Sequence, residues 1–349
     1  MKIAIINNKQ AARKELIRIV TMSSDHELAW STSSGVSAVE FCKSVQPDLI
    51  LMDPMVRDVD GVAVVRQIMS ATPCAILIVT GSIDAQSEIV FGAMGAGAID
   101  AVNTPILNSD EHELAEKTLL NKIANIGILT RDAKSLPADF LDLSLNPIDG
   151  ISDKNLIAIG CSSGGPEALA EILSKLPKDF QSPIVVVQHV DAAFAPGLAK
   201  WLNVKSALPV DLITEGSKPA PGRVLIAATN SHLIMSSSGQ LVYRDYPKDT
   251  SYRPSVDVFF KSLADNWRHA VTAIVLTGMG KDGAAGLLEL RRKGAYTIAQ
   301  DRLSSAVYGM PKAAVELGAA IDVLSIERIA MALTNMANMP RANAMAMPE

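Results

Sequence analysis

The sequence predicts an α/β protein of two domains, each built on a parallel sheet covered by helices. Three observations carry that reading. From residue 1 to about 125, short β-type runs alternate with amphipathic stretches; at 130–153 the periodicity stops in a segment rich in Asp, Ser and Pro; from Asn155 the alternation resumes. A chain of 349 residues is also too long for one ordinary domain.

Taken in order, the first domain (1–125) has expected strands at 2–6, 27–32, 48–52, 75–80 and 98–102. Expected helices lie at 11–21, 36–45, 62–71, 87–95 and 113–128. Five such pairs imply helices on both faces of the sheet and a ligand crevice at the carboxyl ends of the strands. Residues 126–153 read as a linker. The second domain (154–337) has expected strands at 156–159, 184–187, 224–227, 273–276, 296–299 and 320–323, with helices at 167–176, 256–264 and 284–293, a doubly wound arrangement. Residues 338–349 are rich in Met, Ala and Pro and read as a frayed tail.

Composition narrows the function. Hydrophobic residues reach 48% but are dispersed among charges, so no membrane span is expected, and the first residues lack the pattern of a cleaved signal segment. A cytoplasmic protein is the expectation. A net charge of −5 without a basic stripe argues against nucleic acid as a partner. Cys42, Cys74 and Cys161 fit neither a disulfide framework nor zinc spacing.

The chemistry is expected at Gly160-Cys161-Ser162-Ser163-Gly164, where an apolar strand breaks into a helix. A serine held between glycines at such a turn exposes its hydroxyl beside backbone N–H groups that can hold an oxyanion. The same turn could simply cap a helix, or bind phosphate at the helix start. The glycines do not make G-x-G-x-x-G, and the next strand ends in Gln188-His189 rather than an acid for a ribose, which weakens the nucleotide reading. At the other strand ends stand His189, a candidate base, and Asp282, a candidate orienting acid. The order Ser162, His189, Asp282 differs from that of α/β-hydrolases. Each has a plain structural alternative, a histidine satisfying local backbone or an aspartate in a turn. His232 is a rival base and Cys161 a rival nucleophile.

Residues 155–325 resemble the CheB family of protein-glutamate methylesterases. The resemblance rests on Ile159-Gly160-Cys161-Ser162-Ser163-Gly164-Gly165-Pro166, Gln188-His189, Arg253-Pro254-Ser255-Val256-Asp257, Leu276-Thr277-Gly278-Met279-Gly280-Lys281-Asp282-Gly283 and Tyr308-Gly309-Met310-Pro311. It implies hydrolysis of γ-glutamyl methyl esters on cytoplasmic helices of methyl-accepting chemoreceptors, commonly with glutamine deamidation, and without a cofactor. It assigns Ser162 as nucleophile, His189 as base and Asp282 as orienter. It also places Ser163 and Met279 at the oxyanion and Arg253 near the substrate.

The first domain resembles a response-regulator receiver of flavodoxin-like fold, the partner of a CheA-type histidine kinase. Asp53 matches the phosphoacceptor, Asp60-Gly61 the family's turn and Thr80 the hydroxyl position. Asn7-Asn8 replace the usual acidic pair, Thr104 replaces the lysine and Arg57 stands where proline is common. Neutral amides lack the charge that brings Mg²⁺ to a carboxylate, so phosphorylation is expected to be weak, or to use a rearranged site. A similar departure occurs in methylesterases of Wsp-type, surface-sensing pathways, which the chain resembles in this respect. A non-catalytic signalling adaptor is the alternative function; three polar groups at strand ends argue against it.

Overall fold

The computed structural model describes residues 1–81, 86–105, 112–132, 155–250 and 252–338. It divides into two compact units, Met1–Ala138 and Asp139–Glu349.

In the first unit, β1 (Lys2–Ile6), β2 (Glu27–Thr32), β3 (Leu49–Met52), β4 (Ala75–Thr80) and β5 (Asp100–Asn103) form one parallel sheet in the order β2-β1-β3-β4-β5. β3 is buried at every position, as expected of a strand covered on both faces. The helices are α1 (Gln10–Met22), α2 (Gly35–Ser44), α3 (Gly61–Ala71), α4 (Ser87–Met94) and α5 (His112–Asp132). Their starts follow local chemistry: the Ser34 side chain accepts the Ser37 N–H at α2, and Asp60 accepts the Val62 N–H at α3. Helix α5 runs into the stretch expected to be a linker, and 133–153 lies outside the described residues.

The second unit holds a seven-stranded parallel sheet in the order β14-β13-β12-β6-β7-β9-β8. These are β6 (Leu156–Cys161), β7 (Ile184–Gln188), β8 (Val210–Leu212), β9 (Val224–Ile226), β12 (Val271–Val275), β13 (Tyr296–Gln300) and β14 (Asp322–Leu324). β10 (His232–Met235) and β11 (Leu241–Arg244) form a separate antiparallel hairpin, turned by Gly239 in the left-handed region at φ 75°. The helices are α6 (Gly165–Lys175), α7 (Ala195–Lys205), α8 (Val256–Asn266), α9 (Ala284–Arg292), α10 (Met310–Glu316) and α11 (Ile326–Asn338). One core layer joins Val256, Phe259, Phe260 and Leu263 of α8 to Leu287 and Leu290 of α9 and to Ala273 and Val275 of β12.

Several elements escape the periodic pattern. β8 and the hairpin strands are too short to show a period, and α7 opens with Ala195-Pro196-Gly197, which reads as a loop although proline is well suited to a helix's first turn. β6 extends two residues beyond its expected end, which keeps Cys161 inside the sheet. β14 starts two residues late. Of the expected tail, Asn338 ends α11 and 339–349 lies outside the described residues.

Candidate active site

The site is assembled by register. β12, β6 and β7 are adjacent, with Gly160 paired to both Val275 and Val187. Beyond the strand ends, the Ser162 N–H donates to Thr277 O at 3.0 Å and the His189 N–H donates to Cys161 O at 2.9 Å. Ser162 is therefore pinned between the segments that carry Thr277 and His189. The turn after it needs Gly164, which adopts φ 76° at the cap of α6. Beneath it, the Gln188 side-chain amide donates to Ser162 O at 2.9 Å, and the Thr277 hydroxyl donates to Ser163 O at 2.9 Å.

Asp282 arrives from the β12–α9 loop, which passes through Gly280 and Gly283 in left-handed conformations. Its carboxylate lies at the N-terminus of α8, a natural place for an anion. Oδ1 accepts the Ser255 hydroxyl at 2.8 Å and the Asp257 N–H at 3.1 Å, while Oδ2 accepts the Val256 N–H at 2.7 Å. Oδ2 also takes His189 Nε2 at 2.7 Å. Burial opposes the carboxylate's charge, but His189 and these donors outweigh it and hold the Asp282 pKa below the ordinary carboxylate range. The neighbouring Asp257 moves the other way, raised by burial and by the Asp282 charge, although the Gly286 N–H donates to its Oδ1 at 2.6 Å.

This arrangement settles a tautomer. With an ionised acceptor at Nε2, that nitrogen carries the proton and Nδ1 keeps its lone pair. His189 Nδ1 is buried and has no hydrogen-bond partner among the described residues. No hydrogen bond joins it to Ser162 Oγ among the described residues; an unprotonated, buried nitrogen on the segment next to a serine's can take a proton, and the bond between such groups often closes only with substrate. The Tyr252 ring stacks on the His189 imidazole, with centroids 4.2 Å apart and planes within 7°.

The other sequence candidates fall as follows. His232 does not stand at the crevice: it lies fully buried in β10, where Nδ1 accepts the Ser255 N–H at 3.1 Å and Nε2 meets Pro247 O at 2.8 Å. It supports the loop that presents Ser255 to Asp282. Cys161 is fully buried and burial pushes its thiol pKa up, so it carries no nucleophilic thiolate. Ser163 is buried, and Met279 is half-buried with no acceptor for its backbone N–H among the described residues. Arg253 is exposed in the Tyr252–Ser255 loop. Gln188, Ser255 and Thr277 lie in the motifs that carry the family resemblance but were given no role from the sequence, and Tyr252 lies outside those motifs.

In the first unit, Asn7, Asp53, Thr80 and Thr104 are all buried at strand ends, on one crevice. The Met55 N–H donates to Asp53 Oδ1 at 3.0 Å, and the Thr80 hydroxyl donates to Gln86. Burial raises the Asp53 pKa, while the Met55 N–H and the Lys9 charge oppose that rise. Asp60 caps α3, and Arg57 is exposed. Elsewhere in this unit Glu15, His112 and Glu116 converge, but Arg18 bonds both glutamates at 2.7 Å, so the group is an ion-pair lock between α1 and α5.

Comparison with known proteins agrees with this layout. Residues 157–333 match the family model of the CheB methylesterase, and residues 3–117 match that of the response regulator receiver domain. The chain is 48% identical, over 97% of its own length and 99% of the relative's, to a protein-glutamate methylesterase/protein-glutamine glutaminase of Burkholderia lata. It is 45% identical to one of Pseudomonas aeruginosa, over 96% and 99%. Among solved structures, the CheB methylesterase catalytic domain of Thermotoga maritima matches at 36% identity with a TM-score of 0.50, covering 52% of this chain and 98% of that one.

Proposed function

The chain belongs to the CheB methylesterase family, and on that premise we propose that it hydrolyses glutamate γ-methyl esters, and deamidates glutamines, with Ser162, His189 and Asp282 as its catalytic triad. The observation that carries the reading is the His189 Nε2–Asp282 Oδ2 pair, which leaves a buried, unpartnered Nδ1 at the strand end next to Ser162.

Ser162 Oγ attacks the ester carbonyl as its proton passes to His189 Nδ1. The imidazolium so formed is stabilised by Asp282, which stays ionised because its donors are fixed before the reaction begins. The negative charge on the former carbonyl oxygen is assigned to the backbone N–H groups of Ser163 and Met279. Collapse breaks the bond to methoxide, which leaves as methanol with the proton from Nδ1. Water then adds to the glutamyl-Ser162 ester, giving its proton to Nδ1, and glutamate is released as Ser162 recovers a proton. With a glutamine the first leaving group is ammonia.

The substrates we assign are cytoplasmic helices of methyl-accepting chemoreceptors, and the upstream partner is a CheA-type histidine kinase acting on the receiver-like unit. Among the described residues, no helix is long and apolar enough to cross a membrane. We assign the exposed Arg253 to contact with the receptor. Methanol release from methylated receptor fragments tests the reading. Ser162→Ala should lose roughly a thousandfold or more in rate; undiminished release would remove Ser162 from the mechanism.

A further inference from the structure

A receiver fold implies Mg²⁺ at the acidic crevice, and the residues of this one do not fit the ion. Mg²⁺ is a hard cation bound through carboxylates, and Asp53 is the only carboxylate among Asn7, Asn8, Asp53, Thr80 and Thr104. The amides do not compensate. Asn7 Oδ1 is already taken by the Lys9 N–H at 2.9 Å, and its Nδ2, a donor, is buried without a partner among the described residues. A buried N–H₂ repels a cation. Asn8 uses its Nδ2 on Met55 O, which leaves one neutral oxygen, Oδ1, buried and unpartnered among the described residues. One carboxylate and one amide oxygen are a poor match for a divalent ion.

The crevice already holds a positive charge. Lys9 caps α1, yet its side chain makes no capping bond and the first turn of α1 has no acidic residue. An ammonium at the positive end of a helix dipole, where Ser, Asp or Asn is preferred, is unfavourable locally. It needs a counter-charge from elsewhere. Lys9 Nζ reaches across to β4, lying 3.5 Å from where a Cβ on Gly81, the residue after Thr80, would stand. The ammonium thus lies within ordinary contact distance of the Gly81 position. Among the described residues, Lys9 is the one charged group whose field acts on Asp53.

We propose that the receiver-like unit is metal-independent, with the Lys9 ammonium occupying the electrostatic role of the divalent ion beside Asp53 and excluding Mg²⁺ from the crevice. Two features then form one device: loss of the acidic pair removes the metal's ligands, and Lys9 supplies a built-in cation.

Titration calorimetry of Mg²⁺ into the full chain, each protein paired with its Asp53→Asn counterpart, tests this. The wild type should show no Mg²⁺ binding that depends on Asp53. Asn8→Asp/Lys9→Ala restores a carboxylate and removes the ammonium, and should gain affinity by roughly tenfold or more in a manner abolished by Asp53→Asn. Lys9→Ala alone, at an exposed side chain, guards against misfolding of the double variant and should also raise Mg²⁺ affinity, by less. Asp53-dependent Mg²⁺ binding by the wild type overturns the proposal, as does folded Lys9→Ala whose affinity for Mg²⁺ is no higher than the wild type's.

Discussion

At Asp282 the two carboxylate oxygens accept four hydrogen bonds, from Ser255 Oγ, the backbone of Val256 and Asp257, and His189 Nε2. An orienting acid so completely satisfied cannot rotate, and it passes its rigidity to the imidazole. Tyr252 restrains the same ring from its face, and an aromatic face over a developing imidazolium is worth about 0.5–2 kcal/mol. Tyr252→Leu should therefore lower kcat by roughly threefold to thirtyfold, while Tyr252→Phe keeps most of the rate; equal losses in both variants would assign the effect to the hydroxyl instead. His232 acts at one remove, through Ser255. His232→Phe keeps the volume but strands the Ser255 N–H and Pro247 O, so it should cost about 1–3 kcal/mol of stability and lower the esterase rate with it, read by denaturant melts and methanol release.

Among the elements, the β12–α9 loop passes tightly against the nucleophile. A Cβ on Gly278 would stand 2.7 Å from Ser162 Cβ and 3.1 Å from its backbone N. Gly278→Ala must push one segment away, and kcat should fall more than KM rises, since the damage is to the position of Ser162; a change confined to KM would contradict this. Helices α1 and α5 are locked by Glu15, Arg18, Glu116 and His112. The Arg18 guanidinium and His112 hold the Glu15 carboxyl below its ordinary pKa. A carboxyl lowered in the folded state stabilises it above the unfolded value, near 4.3, and the benefit is lost as pH falls through the lower folded value. Glu15→Gln should thus weaken hydrogen-exchange protection of α1 at neutral pH, and its difference from the wild type should vanish in acid.

On the scale of the whole molecule, each unit has its own parallel sheet and its own buried core. All the side chains assigned to ester hydrolysis lie in the second unit, so residues 154–349 expressed alone should fold and release methanol, and the same fragment carrying Ser162→Ala should not. Loss of folded structure in the fragment, seen by circular dichroism, would show that the second unit depends on the first.

Both sheets were legible in the sequence because buried parallel strands are written as unbroken apolar runs such as residues 184–187, and glycine turns mark where several of them end. The residues proposed as the triad were legible for a related reason: open α/β sheets gather function at the carboxyl ends of strands, so His189 and Asp282 could be sought there. β8 and the β10–β11 hairpin were not, since three or four residues that mix polar with apolar positions carry no readable period. Nor were the contacts that decide chemistry. That His232 braces a loop rather than serving as base, that Tyr252 stacks on His189 and that Lys9 reaches Gly81 all depend on segments brought together from distant parts of the chain. The sequence by itself determined which elements form and what chemistry their ends can carry, because periodicity and turn residues are local. Only the tertiary structure decided which nitrogen of His189 is left open and that the Lys9 ammonium lies against Gly81, because register and packing set those distances.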